Sequence, residues 1–274
     1  MSIKLKVLQP QELNKMMKNG DMRVPNESKY IHIRENNKTE WNVLDTVLGC
    51  NMGCPSCYAR SSTHISIRGI DFETPVPQIL NKKRLAGDLD KIRRQDGPNW
   101  VRNGVMGDPA YDWELAIETA RIISEQGFYN VIMTKMPVLP TAGQLLRLSA
   151  YNTVLHLGLV VGFNISTQPE WERKVELMRM YQTWAGYDYA ILRVGTFAFD
   201  QTNTDGAELA AEQKAWINMG FKFMEGPWRL TKQHEFAKAG LLDWDSYSQH
   251  KAYGKKGVKS SNYTPRPQVF TGKD

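Results

Sequence analysis

From residue 41 to residue 226 the chain alternates between short apolar runs and longer amphipathic stretches, and this alternation limits the fold more than any other feature. "WNVLDTVL" (41–48) reads as a strand, and five helix–strand pairs follow it. The expected helices are 77–95, 111–127, 141–151, 168–186 and 204–220, and the expected strands after them are 99–106, 129–136, 152–167, 188–199 and 221–226. A crossover helix returns the chain to the same end of the sheet, so the six strands are expected to be parallel with helices outside. The α/β fold is then an open, partial barrel or a doubly wound sheet. In either one the reactive groups gather at the C-terminal ends of the strands.

Local signals agree with this division. In "YDWELAIETARIISEQG", Trp113, Ala116, Ile117, Ala120 and Ile123 fall near one helical face, and Gly127 closes the helix. Thr141 is placed to cap the third helix. In the fourth, Trp171, Val175, Met178 and Tyr181 form a stripe with Leu177 and Trp184 beside it, which reads as core. In the strand after the third helix, Leu155, Leu157, Leu159 and Val161 alternate with smaller or polar residues. Residues 1–40 read as a polar N-terminal extension, 41–230 as the core and 231–274 as a basic C-terminal extension with helix at best over 243–250.

The three cysteines of the 274-residue chain, Cys50, Cys54 and Cys57, all lie in "GCNMGCPSCYA" (49–59), directly after the first strand. The opening residues lack the apolar segment of a secretory signal. The longest apolar run, 153–163, is too short to span a bilayer and contains His156. A cytoplasmic protein without membrane attachment is expected. An odd number of thiols there points to a metal or cluster site rather than a disulfide framework. Three thiolates spaced C-x3-C-x2-C suit three irons of a cubane cluster and leave the remaining iron open. The alternative is structural zinc held by the three cysteines and His64.

The spacing, on a loop after the first strand of such an alternation, resembles the radical SAM superfamily. The resemblance covers about residues 41–228 and implies a partial (β/α)6 TIM-type barrel with a [4Fe-4S] cluster. The open iron would bind S-adenosylmethionine (SAM) through its amino and carboxylate groups. An electron from an external donor of flavodoxin or ferredoxin type would then release a 5′-deoxyadenosyl radical that takes hydrogen from a substrate. Met106, Gly107, Asp108 and Pro109, in "GVMGDPAYD", are similar to the stretch that receives the SAM amino group through backbone and carboxylate. Asn164, Ser166 and Thr167, in "GFNIST", match positions that contact the SAM ribose or carboxylate, and Arg193 is placed to meet the carboxylate. The superfamily commonly carries an aromatic residue before the last cysteine. Here that position is Ser56, so adenine contact is expected from Tyr58 or from backbone. The "CxxCYA" ending resembles spore photoproduct lyase-like and short phage-encoded members.

The lack of further cysteines excludes an auxiliary cluster held by thiolates, and it excludes a cysteine radical relay. Any such relay would be a tyrosine, with Tyr111 the candidate. Substrate contacts are expected at the remaining strand ends, from Lys135, Glu225, Trp228 and Arg229. Trp228 beside Arg229 suits stacking and pairing with a nucleotide. The net charge of +6 and pI near 9.1 are compatible with nucleic acid, although the basic stretch 81–94 also reads as a solvated helix face. A nucleic acid or nucleotide substrate is the leading expectation. The alternatives are an activase that places a glycyl radical on a partner protein, and a zinc- or cluster-stabilised nucleic-acid-binding module.

Overall fold

The computed structural model describes residues 30–36, 41–54, 59, 71–95, 99–160, 168–227 and 235–243. Its main sheet begins with β1 (Arg34–Asn36), antiparallel to β2 (Trp41–Leu44). The parallel strands β5 (Trp100–Asn103), β6 (Tyr129–Thr134), β7 (Thr153–Val160), β8 (Ala190–Thr196) and β9 (Lys222–Pro227) continue from β2. A separate two-stranded ribbon pairs β3 (Val47–Leu48) with β4 (Val76–Pro77). The helices are α1 (Lys82–Arg94), α2 (Trp113–Glu125), α3 (Ala142–Ser149), α4 (Gln168–Ala185), α5 (Thr204–Ile217) and the short α6 (Glu235–Lys238).

Strand order across the sheet is β1-β2-β5-β6-β7-β8-β9. The six parallel strands therefore lie side by side in the order in which the chain makes them. A doubly wound sheet reverses direction at a switch point, and this order contains none. Right-handed crossovers in one direction put every connecting helix on the same face. The packing agrees, with α1 against α2, α2 against α3 and α3 against α4.

The helix-facing side of the sheet is apolar. Leu155, Leu157 and Leu159 of β7, Ala190, Leu192 and Val194 of β8, and Ile132 of β6 join one core with Trp113, Ala120, Trp171, Met178 and Tyr181. The Tyr181 hydroxyl donates to the Thr153 carbonyl at 2.7 Å, which lets a fully buried tyrosine satisfy its polar end. The expected stripe on α4 is thus core, except that Val175 is only partly buried and Trp184 lies at the surface. Thr141 caps α3 with a full capping box, its hydroxyl accepting from the Gln144 N–H. The basic residues of α1 lie largely on its exposed side, with Leu85, Leu89 and Ile92 turned inward.

The opposite side of the sheet carries the other parity: Trp100, Val131, Val154 and Ile191 pack together with Met133 and Met224. Strand register places Arg102 beside Val131, His156 beside Met133 and Ile191, and Arg193 beside Gly158 and Met224.

Several expectations are corrected. "WNVLDTVL" is two strands in two sheets, because the chain turns at Asp45 and Thr46 and sends Val47 and Leu48 into the ribbon. Residues 30–36, expected within a polar extension, supply β1 and the core residue Ile31. The Ile31 N–H donates to the Ile79 carbonyl at 2.9 Å. The strand expected over 99–106 ends at Asn103, where Gly104 takes φ +97°. Two further expectations fall largely outside the described residues: the strand expected over 152–167 is seen from Thr153 to Val160, and of the helix expected over 243–250 only Asp243 is described. Among the described residues no helix is long and apolar enough to cross a membrane.

Candidate functional site

The site forms where the loops after the first three parallel strands meet. After β2 the chain enters the ribbon and reaches Gly49, whose φ of +83° requires glycine. A side chain there would sit 2.7 Å from the Phe72 carbonyl oxygen. The Gly49 N–H donates to the Met106 carbonyl at 3.0 Å, and the Cys50 N–H donates to the Phe72 carbonyl at 2.7 Å. The cysteine loop is thereby held between the ribbon and the turn after β5. Gly53, in the loop, also has positive φ.

That turn, Gly104 to Tyr111, is clamped by two buried carboxylates. Asp45 Oδ1 accepts from the N–H groups of Val105 and Met106, both at 2.7 Å, and Oδ2 pairs with Arg34. Asp108 Oδ1 accepts from the Ala110 N–H at 3.0 Å and from the Thr134 hydroxyl at 2.6 Å. Its Oδ2 accepts from the Lys135 N–H at 2.8 Å. Burial pushes both carboxyl groups above their usual range, against the lowering effect of these donors. Gly107 sits where a Cβ would lie 2.2 Å from the Val47 carbonyl oxygen. Only a glycine lets the turn approach the ribbon this closely.

Tyr111 joins the turn to the cysteine loop. Its hydroxyl accepts from the Asn51 N–H at 3.1 Å, donates to Asn51 Oδ1, and lies 3.9 Å from Cys50 Sγ. Cys54 is buried, while Cys50 packs beside Leu48, Phe72, Val76 and Met106. Burial, and then the nearby Asp108, push the Cys50 thiol up to about 12. A thiol so placed stays protonated at neutral pH, and a bound metal would have to displace the proton. Two soft donors on a tightly turned loop, with positive-φ glycines at Gly49 and Gly53, fit an iron–sulfur cluster or zinc. Among the described residues no three metal-ligating side chains converge. Cys57 lies outside them, as do His64 and Tyr58.

The structure thus brings together Cys50, Cys54, Met106, Gly107, Asp108, Pro109, Tyr111 and Lys135. The Asp108 carboxylate accepts from three protein donors, which fix it against the start of the next helical turn and the end of β6. Tyr111 positions the cysteine loop. Arg193 lies on β8, half-buried, with Nη1 directed at the sulfurs of Met133 (3.7 Å) and Met224 (3.6 Å). Glu225 lies in β9, paired in register with Val194. Asn164, Ser166, Thr167, Trp228 and Arg229 lie outside the described residues. The clamps Asp45 and Asn51 were not expected. Asp45 had a signal, since an acid inside the apolar run "VLDTVL" needs a buried partner.

The chain matches no family model and no curated protein sequence.

Proposed function

We propose that the chain is a radical SAM enzyme in which Cys50, Cys54 and Cys57 hold a [4Fe-4S] cluster at the mouth of a partial (β/α)6 barrel. One observation carries the reading. The three-thiol loop follows the first of six sequential parallel strands, and it is fastened to the glycine turn after the second strand. That is where an open α/β sheet presents reactive groups.

When bound, the cluster supplies the electron that splits SAM and starts hydrogen abstraction. The chain's residues bind and shape. Cys50, Cys54 and Cys57 are the ligands, and Tyr111 holds Asn51 so that the loop keeps its form. The backbone of Met106 and Gly107 lines the approach to the loop and offers carbonyl groups to an ammonium. Asp45 and Asp108 fix that backbone in place. Met106, Phe72 and Val76 exclude water from one side of the Cys50 thiol. The substrate class we favour is a nucleotide or nucleic acid, with an external flavodoxin- or ferredoxin-type donor supplying the electron.

Anaerobic reconstitution with iron and sulfide tests the reading. The expected product is a brown protein that releases 5′-deoxyadenosine from SAM on reduction. Cys54→Ala is expected to abolish both colour and release while leaving the circular dichroism spectrum of the fold unchanged. Zinc bound in place of iron, or SAM cleavage retained in the variant, would falsify the assignment.

A further inference from the structure

Tyr111 meets the cysteine loop through a single atom. The residue is 5% exposed and sits on the short helical turn Pro109–Tyr111 that Asp108 caps, so its hydroxyl has a fixed position. Among the described residues this oxygen has three polar neighbours: the Asn51 N–H at 3.1 Å, Asn51 Oδ1, and Cys50 Sγ at 3.9 Å. The N–H can only donate, so it takes one of the oxygen's lone pairs. A phenol has one hydrogen to give, and two acceptors, Oδ1 and Sγ, face it.

A thiol with its own hydrogen can donate to the hydroxyl, which leaves the phenolic hydrogen for Oδ1. A sulfur bound to iron carries no hydrogen and can only accept. It would then face the hydroxyl's lone pairs unless the phenolic hydrogen turned toward it. An anionic acceptor also draws a donor closer than a neutral one does. The 3.9 Å separation, at the outer reach of a sulfur hydrogen bond, leaves room for that approach. The Met52 N–H donates to the same sulfur, so the loop already supplies Cys50 with one hydrogen bond.

We infer that the Tyr111 hydroxyl donates to the Cys50 sulfur of the loaded loop and, in competition with Asn51 Oδ1, sets the reduction potential of the cluster. The inference rests on the enzymatic reading. The step concerned is the entry of one electron from the flavodoxin- or ferredoxin-type donor. The donor is oxidised and the cluster reduced, no covalent bond forms or breaks, and no proton leaves the protein. The reduced cluster is more negative by one charge, so a hydrogen bond to its sulfur favours it over the oxidised form and raises the potential. Tyr111 acts through Cys50 as a positioning residue, and Asn51 governs how much of the phenolic hydrogen the sulfur receives.

The full-length chain, Tyr111→Phe and Asn51→Ala are reconstituted anaerobically with iron and sulfide. Each is titrated with dithionite at poised potentials, and the reduced cluster is read by electron paramagnetic resonance. Tyr111→Phe is expected to lower the midpoint potential. Asn51→Ala frees the phenolic hydrogen for sulfur and is expected to raise it. Each shift is expected to change the equilibrium with a given donor about threefold or more, roughly 30 mV at ~59 mV per tenfold for one electron. A loop merely loosened by the two changes gains solvent exposure in both and shifts both potentials the same way, so opposite signs separate tuning from structure. If one variant loads too little iron, the sign of the shift in the other decides alone. Equal potentials in all three proteins, or shifts of one sign, overturn the inference while the enzymatic reading stands. A chain that takes up no cluster overturns both.

Discussion

Asp45 holds the start of the turn and Asp108, within it, ties the turn to the end of β6, so single changes there are expected to act on the site through backbone geometry. Asp45→Ala strips the acceptor from the N–H groups of Val105 and Met106 and leaves Arg34 without its partner. We expect a loss of about 3 kcal/mol in urea unfolding, typical of a broken buried charge pair. A loss within the range of ordinary surface changes contradicts the clamp. Gly107→Ala forces a methyl against the Val47 carbonyl, where neither side is a flexible side chain. It is expected to cost on the order of 2 kcal/mol or more and to weaken iron loading in the same preparation. At this scale the sequence was partly legible. The "MGDP" stretch was visible as a glycine turn beside a carboxylate. That the carboxylate spends its oxygens on Ala110, Thr134 and Lys135 depends on contacts up to 27 residues away in the chain, which no local pattern reports.

β7 illustrates what an element adds. Its alternation announced Leu155, Leu157 and Leu159 as one face, and all three are in the core. The other face, with His156 and Gly158, acquires meaning only from its neighbours β6 and β8. His156 is held neutral by burial and by Arg193 and Arg102, so its folded pKa lies below the ordinary 6.5. The unfolded chain then takes up the proton first. The associated stability is present above pH 6.5 and is lost as pH falls below it, with a slope of at most about 1.4 kcal/mol per pH unit. Denaturant melts between pH 7.5 and pH 5 are expected to show this slope, and His156→Gln is expected to flatten it. An unchanged slope in the variant would place the titration elsewhere. β1 was not legible, because "REN" has no apolar period and its place is fixed by backbone pairing to β2.

The cysteine loop is tied both to the ribbon and to the turn after β5, so a cluster bound there couples to more than its own loop. A ligand that binds only the folded state raises the unfolding midpoint. We expect reconstitution to raise the thermal midpoint by about 5 °C or more, a modest free energy for a protein of this size. Cys54→Ala is expected to show no rise. An equal midpoint with and without iron and sulfide in the unaltered protein indicates that the loop can load without the rest of the fold responding. The alternation gave the number of parallel strands and their helices. It did not choose between sheet topologies, because hydrophobic period is the same whichever neighbour a strand finds.

The side-by-side order of the six parallel strands also bears on how the protein is made. Each new strand has its partner already laid down when it leaves the ribosome, and no gap must be kept open for a later segment. Synthesis and assembly can then advance in step, and the thiol-bearing segment emerges before its retaining turn, which follows about fifty residues behind it. Until that turn arrives the thiols lack the cover that Met106 gives Cys50 in the finished fold, which makes this the interval in which they are open to oxidation.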